Sequence, residues 1–189
     1  QAFEHLRLRW TKGPVDGSLG RFGPPSLLDV LEATTSLGYF LMPLGRTPSG
    51  DLAHVTANGL ASLVALAGRW DGGMPLLLTE HGIYLRERYL EAHKGARSPL
   101  LLAVELLFFR RLNDAVLKAA DLVTPVSDFN RRWELRTGVD PSRAVTIHNG
   151  VAPESFPPLI GEPEIPTIAW VGRIDPLKDL HTLITAFAG

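Results

Sequence analysis

Pro75-Leu76-Leu77-Leu78-Thr79-Glu80-His81-Gly82 is the stretch on which the fold turns. Three consecutive leucines without polar alternation suit a parallel strand covered on both faces, and the polar turn ending in glycine marks where that strand stops. Working outward, short apolar runs alternate with helical patterns on either side. Residues 52–56 read as a strand and 60–67 as a helix. After the leucine strand come helices over 83–93 and 99–119, a strand over 122–126, a helix over 128–137 and a strand over 144–147. Upstream, Ser26 is placed to cap a helix over 27–39, with Pro25 just before it. Residues 45–50 form a turn-rich break. Strands alternating with helices predict a parallel sheet with crossover helices, an α/β fold.

Composition narrows the function classes. The 189 residues are 45% hydrophobic and 21% charged, ordinary for a globular chain with a core. A net charge of -1 gives no general attraction to nucleic acid or anionic lipid. The absence of cysteine excludes a disulfide scaffold and a thiolate metal site. The longest apolar run, residues 99–109, is broken by Glu105 and is too short for a bilayer. The start at Gln1 lacks a basic-then-apolar signal pattern, and the end at Ala188-Gly189 falls inside a helical pattern. Both ends read as cut, so the chain is expected to be an internal piece of a longer protein.

Residues 153–166 hold five prolines and few structure-forming runs, which marks a linker. The expected organisation is a first domain over 1–151, a proline-rich linker over 152–165 and the start of a second domain over 166–189. That second part opens with an apolar run over 165–171, followed by Gly172, Arg173 and, five residues on, Lys178. Strand, loop and helix would place the two cations around a helix entrance, where free amides favour an anion. Gly172 has no side chain to hold a phosphate away from the backbone. Two ordinary surface cations are the alternative.

In open α/β sheets ligands gather at the carboxyl ends of strands. This rule selects His54 and Asn58, Glu80 and His81, Ser127 and Asp128, His148 and Asn149, and Arg173 with Lys178. The same places carry an ordered set of motifs: Thr79-Glu80-His81-Gly82-Ile83-Tyr84-Leu85-Arg86-Glu87-Arg88, then residues 120–127, then Ile147-His148-Asn149-Gly150-Val151, then the Gly172-Arg173…Lys178 loop. In this order they resemble the family-4 glycosyltransferases of GT-B fold, and the string from Thr79 to Arg88 is most similar to the Pel exopolysaccharide glycosyltransferases. The resemblance runs from about residue 51 to the end; residues 1–50 carry no matching motif.

The resemblance implies the later part of an N-terminal Rossmann-like, acceptor-side domain, followed by the first strand and helix of a C-terminal nucleotide-sugar-binding domain. It implies transfer of a hexose, with retention of configuration, from a nucleoside diphosphate donor such as UDP-glucose to a growing glycan. No cofactor beyond the donor is implied. The enzyme would be cytoplasmic and recruited to an inner-membrane polysaccharide synthase complex. His81 takes the role of the cleft histidine near the donor sugar, and Gly172, Arg173 and Lys178 hold the diphosphate. Glu80, Arg86, Arg88, Ser127 and Asn149 are candidate cleft contacts. Each has a plainer reading: Glu80 as a structural acid, the arginines as a solvated helix face with Glu87 and Glu91, Ser127 as a helix cap, Asn149-Gly150 as a turn. His54 and His148 read as structural.

No Asp-x-Asp and no His/Asp/Glu cluster with ligand spacing occurs, which disfavours a metal-dependent transferase. Nor is there a nucleophile elbow or a P-loop. Cationic side chains would then stabilise the leaving diphosphate. The family's glycine-rich loop and its paired glutamates are missing from these residues. This chain alone is therefore expected to lack a complete donor site. Two rival readings remain: a nucleotide-sugar epimerase on the same fold, and a non-catalytic nucleotide-sugar-binding subunit.

Overall fold

The computed structural model describes residues 24–45, 47–92, 98–156, 158, 161 and 163–188. The chain divides into two compact units between Asn149 and Gly150. The expectations for residues 1–23 and 93, and for parts of the linker, fall outside the described residues.

The first unit is built on a three-stranded parallel sheet in the order β1 (Ala53–Val55), β2 (Leu76–Leu78), β3 (Leu122–Val123). The register pairs Ala53 with Leu76 and Leu78 with Val123. Among the described residues five α-helices accompany it: α1 (Leu27–Leu41), α2 (Ser62–Gly72), α3 (Tyr84–Glu91), α4 (Pro99–Ala119) and α5 (Asp128–Arg136). Side chains alternate across a strand, so Leu76 and Leu78 share a face. Both are wholly buried, in a core with Leu66, Val116 and Val123. Leu77, on the other face, is only half-buried, so the strand is covered fully on one side and partly on the other.

Local chemistry sets the ends of these elements. Ser26 Oγ accepts from the Asp29 amide at 3.1 Å, and Asp29 Oδ2 accepts from the Ser26 amide at 2.9 Å, a reciprocal cap for α1. Asp29 also accepts from Ser98 Oγ at 2.7 Å, tying the start of α4 to the start of α1. Hydrogen bonds from both serines hold the Asp29 carboxyl below its ordinary range. Asp121, just before β3, accepts from the Leu76 amide at 2.9 Å and from both terminal nitrogens of Arg69 at 2.7 and 2.8 Å. One carboxylate thereby fixes β2, β3 and α2 relative to each other, and the Leu76 amide is the main cause of its lowered pKa. An aromatic group of Phe40, Phe108, Phe109 and Tyr84, with centroids 5.0 to 5.7 Å apart, joins α1, α3 and α4.

Two expected strands are corrected. The run 144–147 contributes only an isolated parallel bridge, Val123 to Ala144, although the Val145 and Ile147 amides donate to Val123 and Pro125 carbonyls at 3.0 and 2.9 Å. Pro125 has no amide hydrogen to return to the fourth run, so the ladder fails there, and β3 ends at Val123. In the second unit, residues 165–171 form no strand, for among its described residues there is no strand to supply partners. That unit holds short 3-10 turns at Pro153–Ser155 and Pro176–Lys178 and one helix, α6 (Leu180–Ala188). None of its described residues is buried, and Val171 is 98% exposed. Asp179 sits in the left-handed region at φ 47, which aspartate tolerates better than most residues. Its side chain accepts from the Thr182 amide at 3.4 Å and hydroxyl at 2.8 Å, capping α6.

Candidate functional site

The carboxyl edge of the sheet carries a connected polar row. His54 Nε2 lies 2.8 Å from Thr79 Oγ1, Thr79 Oγ1 lies 2.6 Å from Thr124 Oγ1, and Thr124 Oγ1 reaches the Leu78 carbonyl at 3.3 Å. One residue from each strand region contributes, because parallel pairing brings their ends to one side of the sheet. His54, assigned a structural part from sequence, holds one end of this row and is exposed.

The loop from β2 to α3 splits its two candidates. His81 is exposed at the surface of the strand-end edge. Glu80 turns inward and is 2% exposed, so it does not serve as a solvent-facing partner for His81. The Glu80 carbonyl is held by α5 and the residues before it, accepting from Asn130 Nδ2 at 3.3 Å and from the Val126 amide at 3.2 Å. A Cβ on Gly82 would lie 2.4 Å from Glu87 Oε1, so a side chain there would need the exposed Glu87 carboxylate to swing aside.

Inside, Glu80 meets Glu134 of α5, which is also 2% exposed. Counted as carboxylates, Glu80 Oε1 and both Glu134 oxygens lack a donor. A proton on Glu80 turns their contact into a hydrogen bond that Glu134 accepts. Desolvation, then the facing Glu134 charge, pushes the Glu80 carboxyl up to about 8. Desolvation pushes Glu134 up to about 7, against the opposing effects of the Glu80 hydrogen bond and Arg131. The two titrate as a pair sharing protons. They border a cavity of about 260 Å3 with Asn113 of α4. Asn58 Nδ2 donates to Asn113 Oδ1 at 2.9 Å, leaving Asn113 Nδ2 and Asn58 Oδ1 buried without partners.

The remaining candidates divide by role. Arg86 is exposed and reaches the cavity rim. The Arg88 guanidinium stacks on Tyr84 and Phe109 at 5.3 and 5.6 Å and pairs with Glu91, so it serves packing between α3 and α4. Ser127 Oγ accepts from the Asn130 amide at 3.2 Å and is the cap of α5. Asn149 is exposed at the end of the first unit, after His148, whose Nδ1 lies 3.1 Å from the Val126 carbonyl. In the second unit Arg173 and Lys178 are exposed, Lys178 closing the 3-10 turn two residues before α6. The Trp170 indole lies against Gly172, 3.0 Å from where a Cβ would stand, and the Asp179 side chain already accepts from the Thr182 amide in the first turn of α6.

Sequence reasoning did not select Glu134, Trp133 or Asn113. Asn113 had a signal: it stands four residues from Phe109 and from Leu117, on the apolar stripe of α4. Glu134 had none, since it sits among arginines in Asn130-Arg131-Arg132-Trp133-Glu134-Leu135-Arg136 and reads as a solvated charge. Among the described residues no group of three or more His, Cys, Asp or Glu could hold a metal ion. No described helix is long and apolar enough to cross a membrane.

The fold thus defines a parallel-sheet α/β protein with a polar strand-end edge. Residues 19–142, well over half the chain, match the family model described as Domain of unknown function (DUF3492), and the chain belongs to that family. No curated protein and no solved structure matches it.

Proposed function

We propose that the chain is part of a GT-B glycosyltransferase that moves a sugar from a nucleoside diphosphate donor, such as UDP-glucose, to a growing glycan. The observation that carries this reading is the convergence of His54, Thr79, Thr124 and the His81 loop at the carboxyl edge of a parallel sheet, where such folds hold ligands. The ordered motifs from Thr79 to Lys178 support the finer assignment to Pel-type exopolysaccharide synthesis.

In this reading His81, exposed at the strand end, hydrogen-bonds the reacting sugar or moves a proton near it. Arg173 and Lys178 stabilise the charge that grows on the diphosphate as it leaves, without a metal ion. Asn149 and Arg86 contribute polar contacts to substrate. The protein works in the cytoplasm beside an inner-membrane synthase complex.

The test is UDP release from UDP-glucose by the natural protein that carries this chain, with a chelator present. Single and double alanine variants of Arg173 and Lys178 accompany it. Each charge-assisted contact is worth about 1.5 to 3 kcal/mol, so each single variant should lose roughly ten- to a hundredfold in kcat/KM. The double variant should lose less than the sum if both grip the same phosphates. No UDP release from any hexose donor, or normal kinetics in both single variants, would overturn the reading.

A further inference from the structure

We propose that the cavity between the β2–α3 loop and helices α3, α4 and α5 binds a primary ammonium group carried on a small apolar body. The proposal stands apart from sugar transfer and rests on Glu80, Glu134 and Asn113, which the transfer reading leaves idle. The walls suit an apolar body: Ile83 and Leu117 are aliphatic, and the rings of Tyr89 and Trp133 flank them. At about 260 Å3 the space fits a fragment rather than a drug-sized ligand.

The polar end is specified by what has no partner. Glu80, Glu134 and Asn113 line the cavity, each is at least nine-tenths buried, and each leaves polar atoms unsatisfied. Native structures keep few such groups, and each one calls for a partner. With the pair ionised, three of these atoms are carboxyl oxygens that need donors, Glu80 Oε1 and Glu134 Oε1 and Oε2, while the fourth, Asn113 Nδ2, is itself a donor. A primary ammonium brings three donors and no acceptor.

Charge points the same way. Two acids line the site, Glu80 from the loop and Glu134 from α5, and the exposed Glu87 of α3 acts on Glu80 through its charge. The cations are Arg86 at the rim and Arg131 on α5, whose Nε donates to the Ala144 carbonyl at 3.1 Å. From α4 the lining residues are the neutral Asn113 and Leu117. Once both glutamates are ionised, these three carboxyls against the two guanidiniums leave room for one positive charge. The aromatic walls add favourable faces for a cation.

Binding an ammonium ion ionises the protonated glutamate pair, because an adjacent cation lowers carboxyl pKa values. Protons are therefore released on binding, and affinity rises with pH across the range in which the empty pair titrates. A neutral hydroxyl ligand of the same shape would release none.

The experiment is calorimetric titration of the full chain with benzylammonium chloride, with benzyl alcohol as the neutral isostere, in two buffers of different ionisation enthalpy. Saturable benzylammonium binding, release of about one proton per site near pH 7, and affinity at least about tenfold higher near pH 8 than near pH 6 are expected. Glu80→Gln with Glu134→Gln keeps shape and removes charge, and should abolish both the proton release and the pH dependence. Release is read on the unaltered chain, so the result does not depend on how the variant folds. Benzyl alcohol binding as tightly with no proton release would overturn the proposal in favour of a neutral site. Absence of saturable benzylammonium binding up to roughly 10 mM at the higher pH would overturn it outright.

Discussion

Two segments of the molecule carry the same grammar and meet different fates. Leu76–Leu78 and residues 165–171 are both apolar runs, each followed by a polar turn with glycine and then a helix. The first becomes a strand flanked on both sides, with Leu76 and Leu78 wholly buried. The second stays unpaired, with Ile168 and Val171 at 64% and 98% exposure. A strand is a pairing relation, not a property of its own residues, because its amides and carbonyls need partners outside the segment. The difference also reaches function. The loop after β2 is pinned by Val126 and Asn130, whereas the loop holding Arg173 and Lys178 follows an unpaired run.

The largest expected effect that could break this contrast is on stability. Leu78→Ala removes a fully buried side chain from the core and should cost about 3 kcal/mol or more. Val171→Ala should change stability by less than about 0.5 kcal/mol. Urea unfolding of both variants measures the two values. A comparable loss at Val171 would mean that the second run is packed in solution as the first is.

Next in size is a pH effect confined to the first unit. Glu80 and Glu134 have folded-state pKa values raised above 4.5, to about 8 and about 7. A raised carboxyl contributes stability that is fully present below about pH 4.5 and is lost as pH rises through the folded values. Wild type should therefore weaken between about pH 5 and pH 8 by up to roughly 1.4 kcal/mol per pH unit for each group titrating. The Glu80→Gln, Glu134→Gln double variant should lose less across the same window. Parallel pH profiles for the two proteins would remove the buried pair from the account.

Smaller again is the cap of α1. Ser26→Ala removes the acceptor for the Asp29 amide and should cost about 1 kcal/mol. An unchanged unfolding midpoint would show that α1 stands on its packing against α4 alone.

What sequence could and could not disclose follows from range. Local signals were legible: Ser26 as a cap, Pro99–Ala119 as one helix, the leucine strand, and the alternation that implies parallel pairing. Signals that depend on distant partners were not. Pro125 was visible, but its effect on residues 144–147 required knowing that the two lie side by side. Glu80 was selected as a strand-end acid, yet its partner lies fifty-four residues away on a helix that otherwise reads as solvated. Arg88 was a candidate cleft contact by its place in the motif. Its stacking on Phe109 of α4 is a tertiary fact.

The central claim is that the carboxyl edge of the sheet, with His81 exposed on it, handles sugar transfer. It is tested most directly by turnover in the natural protein, comparing wild type with His81→Ala and following UDP release from UDP-glucose. Wild type should release UDP, and His81→Ala should lose at least about a hundredfold in kcat with its unfolding midpoint unchanged. Near-normal turnover by His81→Ala would contradict the claim and leave His81 an ordinary residue of a turn.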